Sequence, residues 1–222
     1  MSNSPLVNYM KISPNKTSPR NQTIDRITPH IVVGQITVES LGEIFAPTSR
    51  QASSNYGIGK DGKVGMYVEE KDRSWCSSSG ANDHRAITIE IASDLKPPYA
   101  INEKAFSAFL DLATDICKRH GKKKLVWIAD KTKALAYQPK ADEMLLTVHK
   151  WFANTACPGE WLYSRLPDVA ATVTKRLNPE KKKQTFYRVV VGSYTVRANA
   201  DASLKKAKAA GFNDAFITAV EV

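Results

Sequence analysis

The sequence predicts an α/β fold, in which a central mixed β-sheet is flanked by helices and a small β-α-β unit follows at the C-terminus. Segments with the apolar pattern of strands alternate with segments whose apolar residues recur at helical spacing. The 222 residues suffice for one sizeable domain and a small appendage. A composition of 42% hydrophobic and 24% charged residues is typical of a globular protein.

The first elements follow from short local patterns. Residues 1–26 are rich in Ser, Asn, Pro and Thr and lack periodicity, which indicates an extended arm. The β-branched run at residues 27–33 predicts a strand. Apolar residues at helical spacing predict a helix over residues 37–45, which Pro47 stops.

A hairpin and a buried strand come next. Residues 55–68 predict a β-hairpin, because Asp61 and Gly62 are a favoured pair for a type I′ turn. Residues 86–92 are almost entirely apolar or β-branched, and they predict a largely buried strand.

The rest of the first domain returns to the alternation of helix and strand. Asn102 is the predicted N-cap of a long amphipathic helix that ends at Gly121. Residues 125–129 predict another strand, and residues 161–177 predict a last helix. We therefore assign residues 1–177 to one domain.

A smaller unit follows this domain. Residues 178–185 are polar and predict a linker, and residues 186–222 predict a compact β-α-β unit. Its predicted elements are a strand at 186–194, a helix at 200–210 and a strand at 215–222. Asn199 is in the expected cap position and Gly211 ends the helix.

The charge and the apolar pattern limit the classes of partner. A formal net charge of +10 favours polyanions, which include nucleic acids, teichoic acids and peptidoglycan. The chain lacks a basic helix with interleaved aromatic residues, so we expect no nucleic-acid partner. No apolar run approaches the roughly 20 residues of a membrane helix, and the N-terminus lacks the pattern of a secretory signal. We therefore expect synthesis in the cytoplasm and no membrane partner.

One pair of residues indicates a metal site. His149 ends an apolar run, and Cys157 follows eight positions later in a Cys-Pro-Gly turn. An imidazole and a thiolate are typical zinc ligands. His30, at the end of a predicted strand, is the best third ligand, and three ligands leave a position for water. The alternative is a core histidine and a buried thiol that never meet.

The other histidines and cysteines fit structural roles. His84 lies in a polar turn and is expected to brace a loop, whereas His120 lies at a helix C-terminus, where it can interact with the helix dipole. An odd count of three cysteines excludes a complete disulfide framework. Cys117 is expected to be a buried small hydrophobe on a helix; Cys76 has no assigned role.

Glu90 stands out within the predicted buried strand. Every neighbour on either side is apolar or β-branched, and a buried carboxylate is costly unless it is paired or functional. Burial would raise its pKa toward the range of a general base. A salt bridge with Arg85 is the competing explanation.

In these motifs the chain resembles the zinc-dependent N-acetylmuramoyl-L-alanine amidases of the type-2 amidase and peptidoglycan recognition protein family. The resemblance covers roughly residues 27–177. It rests on four motifs: Ile-Thr-Pro-His30, Asn55-Tyr-Gly-Ile-Gly-Lys-Asp-Gly, Ala-Ile-Thr-Ile-Glu90 and His149-x7-Cys157-Pro-Gly. It implies the fold of that family, Zn²⁺ on His30, His149 and Cys157, and Glu90 as the base that activates water.

Two positions depart from the family pattern. Relatives often carry a tyrosine where this chain has Ser54. Tyr56 is a candidate substrate-binding residue, but the sequence does not decide whether it compensates. Many phage members carry a lysine where this chain has Thr155, whose hydroxyl is a candidate oxyanion donor. The resemblance implies that Glu90 acts without assistance from a tyrosine at the Ser54 position. Recognition-protein amidases carry threonine at the Thr155 position, so activity is expected there, although a cation no longer supports the oxyanion.

The loop before the Glu90 strand is expected to border the cleft. Trp75, Ser78 and Asn82, with the neighbouring Asp83, are the candidate substrate contacts in this loop. Trp75 either stacks on a sugar face or anchors the core.

Residues 186–222 resemble half of a SPOR (sporulation-related) repeat, a family that binds glycan strands stripped of stem peptides. A complete SPOR domain has two β-α-β halves, and a single half of this size rarely folds alone. Two chains could therefore pair their halves as a homodimer. Alternatively, the half packs on its own amidase domain.

The function that these features predict is a peptidoglycan hydrolase that cleaves the amide bond between N-acetylmuramic acid and L-alanine. Its partners would be the stem peptide and the glycan strand. The alternative class is a non-catalytic peptidoglycan receptor. The expected setting is an endolysin released by a holin, or an autolysin of a spore former that is released when the mother cell lyses.

Overall fold

The computed structural model describes residues 3–179, 187 and 189–220. Contacts divide the chain into two compact units, Met1–Pro179 and Glu180–Val222. Across the described ranges, no helix has both the length and the apolar character needed to cross a membrane.

A seven-stranded sheet forms the centre of the first unit. The described residues of this unit form nine strands, seven of which belong to the sheet: β1 (Val7–Met10), β2 (Lys16–Thr17), β3 (Arg26–Val33), β4 (Tyr56–Ile58), β5 (Val64–Met66), β6 (Arg73–Ser74), β7 (Ala86–Ser93), β8 (Lys124–Val126) and β9 (Glu143–Leu146). The sheet order is β1-β5-β4-β7-β3-β9-β8, and β2 pairs with β6 separately. Only β4 and β5 are antiparallel within the sheet, which confirms the predicted mixed sheet.

Helices pack on this sheet. The helices of the first unit are α1 (Val38–Phe45), α2 (Gly80–Asp83), α3 (Glu103–Arg119), α4 (Lys131–Ala136), α5 (Gly159–Tyr163) and α6 (Leu166–Leu177). Helix α7 (Arg197–Ala209) lies in the second unit. The Asn102 side chain accepts a hydrogen bond from the Ala105 backbone N–H, so α3 begins at the predicted cap. The α/β class is therefore confirmed.

The N-terminal arm is part of the sheet. The sequence predicted only an extended arm over residues 1–26, and two extended segments of it pair with other strands: β1 pairs in parallel with β5 at the sheet edge, and β2 pairs with β6. Strand β1 is short, and only alternate residues are half-buried, so its pattern in the sequence is weak.

Two other local predictions need correction. In the hairpin, Gly62 has a φ of +84° but Asp61 is not among the residues with positive φ, so the turn is not type I′. The predicted helix at 161–177 is two helices, α5 and α6, and Pro167 occupies the first turn of α6. Proline is favoured there because the first helical N–H groups have no partner within the helix.

The second unit contains α7. This helix begins earlier than predicted, with Val196 rather than Asn199 at its N-cap, and Gly211 follows its end with a φ of +98°. Within residues 187 and 189–220, the described part of this unit, neither of the two predicted strands is formed. The remainder of those two predictions, and most of the predicted linker, lie outside the described residues.

Candidate metal centre

Strands β3 and β7 place His30 and Glu90 side by side. The two strands pair in parallel over eight residues, and His30 is the partner of Glu90. Side chains alternate between the faces of a sheet, so Ile27, Ile31 and Ile89 point to the opposite face, where they join the main apolar core. The alternation therefore buries the isoleucines and brings the two functional side chains together on the other face.

The other two predicted ligands follow β9. His149 begins a short 3-10 helix, His149–Trp151, and the chain then loops back to Cys157. The Lys150 backbone N–H donates to the Cys157 carbonyl at 3.1 Å, and the Cys157 N–H donates to Thr155 Oγ1 at 3.2 Å. These two hydrogen bonds close the loop and hold Cys157 near the sheet.

His30, His149 and Cys157 have the spacing of a metal site. Their ligand atoms lie within 4.8 Å of one another. Cys157 Sγ is 3.4 Å from His30 Nδ1, and the two imidazole ring centroids are 4.9 Å apart. Tetrahedral zinc with ordinary Zn–N and Zn–S bonds separates nitrogen and sulfur by roughly 3.5 Å. The observed spacing therefore fits a zinc ion.

The protonation states of the histidines also fit a metal. Burial, reinforced by the nearby His149, lowers the pKa of His30 to about 3. Burial likewise lowers the pKa of His149. Neutral imidazoles are the form that binds metals. His30 Nε2 is buried and has no hydrogen-bond partner, as expected for a group that belongs to an incomplete polar site.

Glu90 is a half-buried carboxylate with the pKa of a general base. Burial raises its pKa to about 7, against the opposing effect of a hydrogen bond from Cys76. Its Oε2 atom is buried without a partner. Arg85 binds Asp25 instead, with Nε donating to Oδ1 at 2.9 Å, so the proposed Arg85 salt bridge is wrong.

The structure gives the positions of three other predicted site residues, Ser78, Trp75 and Thr155, without testing their roles. Ser78 is exposed, has a φ of +62°, and its hydroxyl lies 3.2 Å from His149 Nε2. Trp75 is half-buried, and its indole N–H donates to Thr17 Oγ1 at 2.9 Å. Thr155 is half-buried in the loop that carries Cys157. Their roles remain predictions.

Asn82 does not fit its predicted role in substrate binding. It is 1% exposed, and both of its polar atoms are engaged. Its Oδ1 accepts from Arg26 Nη1 and from Thr147 Oγ1, and its Nδ2 donates to Thr28 Oγ1. Asn82 therefore stabilises the floor of the site rather than contacting a ligand.

Tyr56 also does not fit substrate binding. It is fully buried and pairs with Ile89, so its side chain lies on the face opposite Glu90. Its hydroxyl donates to Glu70 Oε1 at 2.7 Å. Its hydroxyl is therefore engaged in the buried core and does not face the candidate metal centre.

The remaining predicted structural residues behave largely as expected. His84 Nδ1 accepts from the Asn21 backbone N–H at 3.1 Å, which confirms its role in bracing a loop. Cys117 is fully buried in α3. His120 lies at the end of α3 as predicted, but its main contact is Glu70 Oε2, 2.7 Å from its Nε2.

One residue near the centre was missed by sequence reasoning. Cys76 Sγ donates to Glu90 Oε1 at 3.7 Å, and Cys76, Glu90 and His30 form a second group whose ligand atoms lie within 4.8 Å. The signal in the sequence is its place between Trp75 and Ser78, in the loop that was expected to border the cleft.

The fold is similar to that of three solved structures, one of which is described as an amidase. The catalytic domain of XlyA superposes with a TM-score of 0.52 at 16% identity, covering 74% of this chain and 97% of that chain. A selenomethionine AmpD derivative gives 0.53 at 14% identity, covering 77% and 99%. The N-acetylmuramoyl-L-alanine amidase LysC from Clostridium intestinale URNW gives 0.51 at 17% identity, covering 75% and 94%. At such identities the similarity shows the fold alone.

Family models assign both parts of the chain. The model described as N-acetylmuramoyl-L-alanine amidase matches residues 17–160, and the SPOR domain model matches residues 165–218. The chain therefore belongs to the N-acetylmuramoyl-L-alanine amidase family and carries a SPOR domain. No curated protein sequence matches it significantly.

Proposed function

We propose that the protein is a zinc-dependent N-acetylmuramoyl-L-alanine amidase that cleaves the bond between N-acetylmuramic acid and L-alanine in peptidoglycan. The observation that carries the proposal is the convergence of three ligand side chains with a carboxylate of raised pKa on one face of the sheet. The family match supports the same substrate and bond.

His30, His149 and Cys157 are the residues that would hold the zinc ion. Two neutral imidazoles and one thiolate are a suitable donor set, and a fourth position stays open for water. When bound, zinc would lower the pKa of water to about 7 and polarise the substrate carbonyl.

Glu90 is the general base and acid. Its Oε2 has no hydrogen-bond partner among the described residues and is available to accept the proton of the attacking water. A pKa of about 7 lets the same group return that proton to the departing L-alanine amine.

Thr155 is the proposed donor to the oxyanion that forms as the carbonyl is attacked. Its oxygen accepts from the Cys157 N–H, which leaves the hydroxyl hydrogen available for donation. Ser78 and Trp75 are the proposed substrate contacts, because they lie in the loop that reaches His149.

Digestion of purified peptidoglycan tests this function. The expected result is release of peptides with free N-terminal L-alanine, detected by mass spectrometry, with loss of activity in a chelator and recovery with zinc. Binding to peptidoglycan without cleavage would favour a non-catalytic receptor instead. Digests of walls from several bacterial species would also show which walls the protein cleaves.

The SPOR domain is the proposed glycan-binding part, which would direct the enzyme to strands that the amidase has already stripped. The homodimer also remains a proposal. It is supported by apolar side chains of the second unit that are largely exposed within one chain, such as Tyr187 at 94% and Val189 at 90%. Sedimentation of the full chain and of a variant truncated after Leu177 tests it. Monomers of both at micromolar concentration would exclude the dimer.

A further inference from the structure

We infer that Cys76 is a positioning residue for Glu90: its thiol donates a hydrogen bond to Oε1 and so fixes Oε2 as the oxygen that faces the reaction. The inference deepens the proposed function and rests on it for the role of Glu90. The contact itself does not depend on that function.

The first step is the distribution of contacts on the Glu90 carboxylate. Cys76 Sγ lies 3.7 Å from Oε1, which is an ordinary distance for a thiol donor. The Oε2 atom is buried and has no partner. Within residues 3–179, 187 and 189–220, Cys76 is the one side chain that donates a hydrogen bond to this carboxylate. The two oxygens therefore have different environments.

The second step is the rigidity of the loop that carries the thiol. The backbone N–H groups of Cys76 and Ser77 both donate to Asp83 Oδ2, at 3.0 and 3.1 Å. Asp83 is 2% exposed, and the preceding Trp75 N–H donates to Ser53 Oγ at 3.1 Å. Three hydrogen bonds thus fix the backbone from Trp75 to Ser77 before any substrate binds.

The third step is the choice between positioning and metal binding. Cys76 could in principle bind a metal with His30 and Glu90, since their ligand atoms lie within 4.8 Å. A ligand sulfur must be a thiolate, which would place a second negative charge 3.7 Å from Glu90. A protonated thiol instead donates to that carboxylate, so the geometry favours a donor.

The consequence for catalysis concerns the orientation of the carboxylate. A general base acts only when its oxygen lies within hydrogen-bonding reach of the proton it removes. Rotation of the carboxylate would exchange the positions of Oε1, which accepts from the thiol, and Oε2, which faces the reaction. The hydrogen bond from the thiol opposes that rotation. Because a thiol is a weak donor, loss of the contact should reduce kcat by roughly three- to tenfold.

The kinetic test uses the full chain with zinc and peptidoglycan fragments as substrate. Cys76→Ala is expected to lower kcat by roughly three- to tenfold with KM nearly unchanged, and Cys76→Ser, which keeps a donor, should recover much of the loss. In a Glu90→Gln background, Cys76→Ala should cause no further loss. Equal losses in both backgrounds, or loss of zinc from Cys76→Ala, would overturn the inference.

A second readout does not need activity. The infrared S–H stretching band of Cys76 is obtained as the difference between the wild-type and Cys76→Ser spectra of the zinc-free chain. The band should shift to higher frequency in Glu90→Ala, whereas the band of Cys117 should not move. A shift without amidase activity in the wild type would reject the proposed function alone. Absence of the shift would reject the positioning contact even in an active amidase.

Discussion

His30 and Glu90 are polar residues in the middle of buried strands, and such residues need a partner or a function. In the part of the chain that the structure describes, each has one buried side-chain atom without a hydrogen-bond partner, and the two side chains lie on the same face of the sheet. A structural role would have satisfied them, as it does for Asn82. The two residues therefore carry the strongest evidence for chemistry at this site.

Replacement of the proposed base should separate chemistry from metal binding. We expect Glu90→Gln to lower kcat by roughly 10²–10⁴ while zinc content is retained, because the amide cannot accept the proton of water. Steady-state kinetics with metal analysis measures both quantities. Glu103→Gln, an exposed glutamate in the first turn of α3, is the control and should retain wild-type activity. Near-native activity of Glu90→Gln would remove Glu90 from the mechanism.

Replacement of a proposed metal ligand should weaken zinc binding, whereas replacement of the base should not. Cys157→Ser is expected to weaken zinc binding by more than about tenfold, because the soft thiolate is replaced by a poor ligand. Competition with a chromophoric chelator measures the affinity. Cys117→Ser changes another buried cysteine of the chain and should leave zinc stoichiometry unchanged. Equal zinc affinity in wild type and Cys157→Ser would contradict the ligand assignment.

Single residues show what the sequence could predict. The placement of Glu90 in an apolar strand was sufficient to single it out, and a strand end made His30 a good candidate. Tyr56 faces away from Glu90 because the face on which a strand residue lies depends on strand pairing, which the local pattern does not give. Asn82 lies in α2, and its burial depends on hydrogen bonds to side chains of β3 that are distant in the sequence. Cys76 meets Glu90 only through the folding of a loop onto β7.

At the scale of elements, a buried ionic cluster joins the loop after β5 to the end of α3. Glu70 is fully buried, and it binds Arg119, His120 and Tyr56. Burial would raise the pKa of Glu70, but the hydrogen bonds from His120, Arg119 and Tyr56 outweigh it and lower the pKa to about 2. The cluster therefore favours the charged carboxylate.

This cluster gives a prediction about stability and pH. We expect Glu70→Gln to reduce the free energy of unfolding by about 3 kcal/mol at pH 7. Because the pKa is depressed from 4.5, the contribution is present above pH 4.5 and is lost as the pH falls toward about 2. Urea unfolding at several pH values measures the difference, which should shrink in acid.

The neighbouring Glu69 provides the control for that experiment. Its side chain is 32% exposed and pairs with Lys71 at the surface. Glu69→Gln should therefore change the free energy of unfolding by at most about 0.5 kcal/mol. A pH-independent effect of Glu70→Gln would contradict the electrostatic explanation.

Elements were predictable where the periodicity was long. Strands β3 and β7 have clear apolar patterns, and helix α3 has both a clear pattern and an N-cap. All three lie close to the expected positions. Strand β1 has only four residues, and its pairing with β5 is determined by the tertiary structure. The break between α5 and α6 had a signal in Pro167, which the apolar spacing on both sides concealed.

At the scale of the whole molecule, the two family matches and the two compact units divide the chain differently. The SPOR match begins at residue 165, but α6 lies within the unit Met1–Pro179. Leu166, Val169 and Val173 of α6 are buried in the amidase core. The amidase fold therefore includes this helix, although the SPOR match also covers it.

Two truncations test this boundary. A variant ending after Leu177 should fold and cleave soluble fragments, but it should lose binding to glycan strands stripped of peptides. A variant ending after Ser164 should fail to fold, because loss of three buried side chains exceeds typical domain stability. Circular dichroism and co-sedimentation with stripped walls measure these outcomes. A folded, active variant ending at Ser164 would assign α6 to the SPOR domain instead.

The register of β3 against β7 has a consequence for the whole site. Because His30 and Glu90 are partners on neighbouring parallel strands, their separation is about 4.8 Å between backbones and is set by main-chain hydrogen bonds. The backbone distance between the base and the metal ligand is therefore set by the pairing of the two strands and does not depend on side-chain packing. A single inserted residue in either strand would turn one partner to the opposite face of the sheet and separate the base from the metal ligand.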